Sequence, residues 1–497
     1  MIQGTSSDVG KSVLVAALCR IFTRRGVRTA PFKAQNMALN SFVTPDGLEL
    51  GRSQAVQAQA AGVDPDVNMN PILLKPEADS RSQVVLLGKP WKTLAAGSYY
   101  QHKQELWRHV TESLETLMAK FELVIIEGAG SPAEINLKAH EIVNMRVARH
   151  ISAPVVLAAD IDRGGVFAFL YGTLMLLEPE ERELIRGFII NKFRGDPQLL
   201  EPGLAMLSDL TDGRPTVGVI PFLRNLGVAQ EDSVFLDSHS TIEKAKGSAH
   251  QVDIAVIHFP HISNYDDFDA FGLEDDVRVR FVQSAPELGV PDAVVLPGTK
   301  TTAGDLAWLH STGLAKLIVA LSVLGKPIAG ICGGYQMLGT VIRDKLGVED
   351  SGQGRSLPGL NLLPLDTDFE PHKKTNLATA RVLEGPGFLK FLEERRVDGY
   401  EIHMGRTERR EGALPLLQID RERDDGTISS DGKIWGTYLH GIFDTPSFRR
   451  AWLRSIGWHA TGFAKSLAEH REEQFVRLAD HVETHLDMKL LNQLIGL

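Results

Sequence analysis

Of the two cysteines in the chain, Cys332 stands in the run Gly330-Ile-Cys332-Gly-Gly334. The apolar stretch Pro327 to Ile331 predicts a buried strand and Tyr335 to Gly339 starts a helical pattern, so the thiol falls on the turn between them. A nucleophile on a sharp strand-to-helix turn needs small neighbours. The strained backbone must present the side chain outward while the next amide points at a developing oxyanion. A thiol so placed attacks an acyl or amide carbon; the alternative is a buried core cysteine, since free Cys is among the most buried residue types. The amide of Gly333, with those around Gly298 and Thr299, forms the candidate oxyanion pair, although Gly298-Thr299 equally suits a plain turn. Among sixteen histidines the best-placed base is His440, which follows the strand-like Ile434 to Leu439 and precedes Gly441. His403, in Glu401-Ile-His403-Met-Gly405, is its rival.

A second chemistry opens the chain. Gly4-Thr5-Ser-Ser-Asp-Val-Gly10-Lys11-Ser12 precedes a helical pattern from Val13 to Thr23 and reads as a phosphate loop one residue longer than the usual spacing. Backbone amides around Gly4, Thr5 and Gly10 approach phosphate oxygens, Lys11 reaches the terminal phosphates, and Ser12 is a ligand for Mg²⁺. Only Met1 to Gln3 precede the loop, so its strand is very short or the chain begins upstream. The apolar run Phe121 to Ile126 predicts a buried parallel strand, and Glu127 at its end stands where a Mg²⁺-binding carboxylate belongs. Lys33, after another short strand, faces an anionic substrate or phosphate, or is a solvated loop lysine. Asn191 and Lys192 end a further strand and suit the nucleotide base or its phosphates, or an ordinary turn.

These side chains need a scaffold. With 497 residues and 43% hydrophobic content, two or three domains are expected. Strands that repeatedly end in polar residues, separated by helical patterns, predict an α/β protein with a shared crevice. The pattern divides into an ATP-dependent phosphate-loop domain over 1–236, a polar linker over 237–251, a second α/β domain over 252–449 and a helical tail over 450–497. Two cysteines are too few for a disulfide framework, no apolar run reaches membrane-spanning length, and a cytoplasmic setting is expected. A net charge of −10 argues against nucleic acid as the main partner.

Taken together, the stretches Gln3 to Ser12, Pro31-Phe-Lys33-Ala-Gln-Asn36-Met-Ala-Leu-Asn40-Ser41, Met69 to Pro76, Gly330 to Gly339 and Tyr438 to Gly441 make the chain resemble the cobyric acid synthase family. The first half also resembles dethiobiotin synthetases, and the second resembles class I glutamine amidotransferase domains. The resemblance implies a parallel-sheet phosphate-loop domain followed by a glutaminase. Lys11, Ser12 and Glu127 match nucleotide and Mg²⁺ positions, Lys33 lies near the transferred phosphate, Cys332 is the nucleophile and His440 its base. It also implies ATP, Mg²⁺ and glutamine, with a corrinoid substrate amidated at the b, d, e and g carboxylates of adenosylcobyrinic acid a,c-diamide. The nearest alternative is the cobyrinic acid a,c-diamide synthase family, which the Pro31 to Ser41 stretch argues against. A partitioning-type ATPase would usually carry an extra lysine early in the loop, where this chain has Thr5 and Ser6. Most class I glutaminases place a Glu two residues after the catalytic His, and here that residue is Ile442. Asp444 or a backbone carbonyl is then expected to orient His440.

Overall fold

The computed structural model describes residues 1–497 except 79–80, 225, 227–240, 244–250, 350–353 and 460–461. Contacts divide the chain into one unit of Met1–Ala38, Glu49–Glu231 and Arg471–Leu497, and another of Leu39–Leu48 and Asp232–His470. Two segments depart from the expected linear order. Residues 39–48 group with the second unit, and 471–497, expected as part of a separate tail, group with the first. The expected linker lies outside the described residues apart from Thr241–Glu243 and Gln251.

In the first unit the strand before the phosphate loop is three residues long, Ile2–Gly4, and pairs in parallel with Val155–Asp160. The sheet continues through Ile185–Phe193 and Thr216–Pro221. On the other side of Ile2 a parallel bridge to Glu127 leads to Leu123–Ile126, which pairs with Thr29–Phe32. Alternation along the strands sorts side chains to two faces. Val156, Ala158 and Ile189 pack with the helix Lys11–Arg24, while Leu157, Ala159, Phe188 and Ile190 pack with Val166–Leu176. Phe475, Leu478, Ala479 and Val482, at helical spacing, bury one stripe in the first of these cores. Ion pairs from Arg24 to Asp480 and Arg25 to Glu483 lie at the rim. The parallel strands end on one side of the sheet, where Glu127, Asn191 and Lys192 meet the phosphate loop.

In the second unit five parallel strands run in the order Val277–Val282, Val252–Ile257, Ala293–Leu296, Ile328–Ile331 and Ile434–Thr437. Antiparallel strands Arg423–Ile428, Leu414–Ile419 and Leu365–Val382 extend it, and Arg396–Arg409 pairs with the last. The register Ile331↔Thr437 sets the residues after these two strands side by side. Cys332 follows one of them, and His440 comes three residues after the other.

Candidate active site

Cys332 has φ 51° and ψ −107°, a left-handed strain that the turn from Ile328–Ile331 into the helix Gly333–Met337 imposes on a non-glycine residue. Its neighbours explain the glycines. A Cβ on Gly334 would lie 1.9 Å from the Leu296 carbonyl oxygen, and one on Gly330 would lie 2.8 Å from the Gly334 backbone. The Cys332 amide donates to Thr437 O at 2.8 Å and its thiol faces Ile402 O at 3.4 Å. Gly333 heads the helix, and a Cβ there would lie 3.3 Å from Thr299 N, so the backbone at Gly333 and Thr299 is closely juxtaposed. Gly298 packs against the His440 ring, 2.9 Å from Cε1 to the position of an added Cβ. The loop is pinned by Thr299 Oγ1, whose one hydrogen has His261 O and Asp305 within reach, while Asp305 also binds His261 Nδ1 at 2.9 Å.

His440 is buried and near enough to Cys332 for the thiol to raise its pKa. Its orienting group differs from expectation: Asp267, 173 residues earlier, places Oδ2 2.7 Å from His440 Nδ1 and accepts the Gly441 amide on Oδ1 at 2.8 Å. Asp444 does not fill this role; its backbone carbonyl accepts from Arg449. Asp267 lies in the 3-10 segment Tyr265–Leu273. Burial disfavours the imidazolium, but the Asp267 carboxylate and Cys332 outweigh it and push His440 up to about 10. The arrangement is a thiol, an imidazole and a buried carboxylate in series, suited to attack on an amide carbon and protonation of the leaving nitrogen.

The rival His403 belongs to a different cluster. Its Nδ1 meets Gly405 O at 2.8 Å, its ring stacks on Tyr438 with centroids 3.8 Å apart, and Nε2 lies 3.4 Å from Glu401. Glu401 is fully buried between Lys374 and Arg423, and although burial opposes its charge, His403 and these cations hold its carboxyl down at about 2. This cluster adjoins a cavity of about 390 Å³ that is also lined by Tyr335 and Tyr438.

In the first unit Ser12 of the phosphate loop and Lys33 converge on Glu127. This carboxylate has no exposed surface; its Oε1 accepts from Ser12 Oγ at 2.7 Å and Lys33 Nζ at 3.0 Å, and its Oε2 from Gln57 at 2.6 Å. Lys11 Nζ bonds Ser6 O and Gly130 O, so it spans the loop and the Glu127 strand end. Gly4 lies beneath Lys11, Thr5 N donates to Ala158 O, and Gly10 adopts φ 94° against Asn191. Asn191 and Lys192 here brace the loop, donating to Val9 O and Asp8 O, with Lys192 also on Asp160 at 2.9 Å. A buried carboxylate beside a hydroxyl offers hard oxygen ligands, the donor type Mg²⁺ takes, with nucleotide phosphates completing its shell. Among the described residues no cluster of three or more His, Cys, Asp or Glu forms a self-sufficient metal site.

Known proteins match both halves. Residues 1–234 match the CobQ/CobB/MinD/ParA nucleotide binding domain and residues 253–448 the CobB/CobQ-like glutamine amidotransferase domain. Curated cobyric acid synthases align over the full length. Those of Dehalococcoides mccartyi strain CBDB1 and Moorella thermoacetica are 49% and 51% identical, covering all of this chain and 98% and 97% of theirs. That of Klebsiella pneumoniae is 48% identical over 98% of this chain and 96% of its own. The chain belongs to the cobyric acid synthase family. It is an amidating ligase with a nucleotide-binding domain and a glutamine amidotransferase domain. A solved structure, PurLQS from Thermotoga maritima, aligns at 17% identity over 47% of this chain and 99% of that chain, with a TM-score of 0.30. No single helix among the described residues is long and apolar enough to cross a membrane.

Sequence reading missed Asp267 and Gln57. The signal for Gln57 is the helix Arg52–Ala60, which buries Arg52, Ser53, Gln54 and Gln57 as well as the core residues Val56 and Ala60. Buried polar side chains on such a helix need partners, and Gln57 finds one in Glu127.

Proposed function

We infer that this chain converts adenosylcobyrinic acid a,c-diamide to adenosylcobyric acid by amidating its b, d, e and g carboxylates with ATP and glutamine. The observation that carries this reading is the presence in one chain of a buried carboxylate shared by Ser12, Lys33 and Gln57 and a Cys332–His440–Asp267 series. A carboxylate is a poor electrophile. Its oxygen attacks the γ-phosphorus of ATP, ADP leaves, and the acyl phosphate that forms has a good leaving group. Lys11 and Lys33 offset charge on the transferred phosphoryl group. Mg²⁺ held by Ser12 and Glu127 would neutralise charge on the nucleotide phosphates.

In the glutaminase, Cys332 sulfur attacks the side-chain amide carbon of glutamine and His440 takes the thiol proton. The oxyanion is met by the amides of Gly333 and Gly298 or Thr299. His440 then protonates the departing nitrogen, ammonia leaves, and a thioester remains. Water, deprotonated by His440, hydrolyses it to glutamate and restores the thiol. Ammonia attacks the acyl phosphate carbon and inorganic phosphate departs. Asp267 keeps the imidazole oriented through both proton transfers. A cytoplasmic setting, where ATP and glutamine are at hand, suits the reaction.

Mass spectrometry of cobyrinic acid a,c-diamide incubated with the protein, Mg²⁺, ATP and glutamine tests this. Stepwise conversion of four carboxylates to amides is expected, with Cys332→Ala active on ammonium salt only. Amidation of cobyrinic acid but not of its a,c-diamide would overturn the substrate assignment in favour of the sister reaction.

A further inference from the structure

The signature stretch Pro31 to Ser41 holds Lys33 at its start, but its last two residues do something else. Residues 39–48 group with the glutaminase unit. There the Asn264 amide N–H donates to Asn40 Oδ1 at 2.7 Å, and the Ser41 N–H donates to Asn264 Oδ1 at 3.0 Å. Asn264 has φ 53°, a left-handed conformation that Asn tolerates, and is 4% exposed. Its remaining polar atom, Nδ2, points at His440 Nε2 at 3.4 Å. A backbone N–H can only donate, so Ser41 fixes which end of the amide is oxygen and presents the NH₂ to the imidazole. From the same segment Phe42 lies against Tyr400 with ring centroids 6.1 Å apart, and Val43 is buried with Tyr400 and Ile402. Tyr400 stacks on His440 at 5.1 Å and 15°.

We propose that Asn264, held by Asn40 and Ser41, is a positioning residue that balances Asp267 across the imidazole of His440. It rests on the Cys332–His440 glutaminase reading and adds the residues that tune that base. Nε2 is the atom that must accept a proton from Cys332 and again from water. An NH₂ donor facing Nε2 pairs with its lone pair and repels the N–H of the imidazolium. Asp267 on the other nitrogen does the reverse. A base held protonated by its carboxylate alone could not accept the proton needed for thioester hydrolysis, and a general base works best when poised near the operating pH. Among the described residues, titratable groups that face His440 include Asp267 from the 3-10 segment, Cys332 from the elbow and Tyr400 from its strand. Asn264, Ser263 and Gly298 are uncharged. Asn264 therefore supplies the opposing influence at Nε2.

The test is the pH profile of kcat for glutamine hydrolysis by the full chain, in wild type, Asn264→Asp, Asn40→Ala and Asn40→Asp. Aspartate at 264 keeps the left-handed conformation and an acceptor for Ser41, but turns an acceptor toward Nε2. Its acid limb is expected to move up by about one pH unit, a fall of about tenfold at a fixed pH below the limb. Asn40→Ala frees Asn264 and should move the limb the same way, costing about threefold at that pH. Asn40→Asp, which retains the acceptor for the Asn264 amide, should return the limb to its wild-type place. A uniform drop in kcat with unmoved limbs, or no change in any variant, would overturn the proposal and leave Asn264 a structural residue. A wild type without glutaminase activity, or a Cys332→Ala variant that keeps it, would instead overturn the glutaminase reading itself.

Discussion

Replacing Asp267 with Asn removes one charge and almost no volume, and the structure dictates how the new amide must sit. The Gly441 N–H, 2.8 Å from Oδ1, demands an acceptor, so the amide oxygen stays there and the NH₂ turns to His440 Nδ1. Two donors cannot face each other, so an N–H at Nδ1 is opposed by the new NH₂ and one at Nε2 by Asn264, and a tautomer with its proton on Nε2 cannot accept from Cys332. The charge effect adds to this. His440 stands at about 10 against an ordinary 6.5, a difference worth about 5 kcal/mol, part of which comes from Cys332. Without the carboxylate, burial prevails and the imidazolium becomes inaccessible near neutral pH. A tautomer trap of this kind costs about 10⁴ in kcat in a serine protease, and a fall of about 10³ to 10⁴ is expected here. The assay is glutamate release from glutamine by the full-length protein, with thermal unfolding as the control for folding. The reasoning fails if Asp267→Asn stays within tenfold of wild type, or if Asp444→Asn is the more damaging change.

Glu127→Gln should abolish ATP-dependent amidation while glutamine hydrolysis by Cys332 continues, since Glu127 and Cys332 belong to different units; product and glutamate are quantified in the same reaction. Glu401→Gln removes a carboxylate whose pKa is lowered from 4.5 to about 2, so its stabilisation is present above about 4.5 and is lost as pH falls toward 2. The variant is expected to be about 3 kcal/mol less stable than wild type at pH 7, with the difference shrinking below pH 4.5, as read by urea unfolding across pH.

Much of the site was legible because its parts are local. A strand, a strained turn and a helix lie within twelve residues around Cys332, and the glycines that the turn requires stand beside it in sequence. The phosphate loop is read the same way, from Gly10 to Ser12 and the helix that follows. Glu127 was legible because a buried parallel strand announces itself as an apolar run and its end is where ligand groups collect. The roles of Asn191 and Lys192 were harder, since an Asn-Lys pair that braces a loop and one that binds a base look alike in one dimension.

The sequence by itself determined the two kinds of domain and the α/β class, and it singled out Cys332 as a candidate, because each depends on residue types at short spacing. Tertiary structure alone decided what holds those groups. Asp267 reaches His440 across 173 residues, Gln57 reaches Glu127 across 70, and Asn40 reaches Asn264 across 224. Such contacts leave no periodicity to read. An acidic or amide side chain in a loop has the same local signature whether it is solvated or aimed at a catalytic atom, and only the packing of distant strands brings the partner within hydrogen-bonding distance.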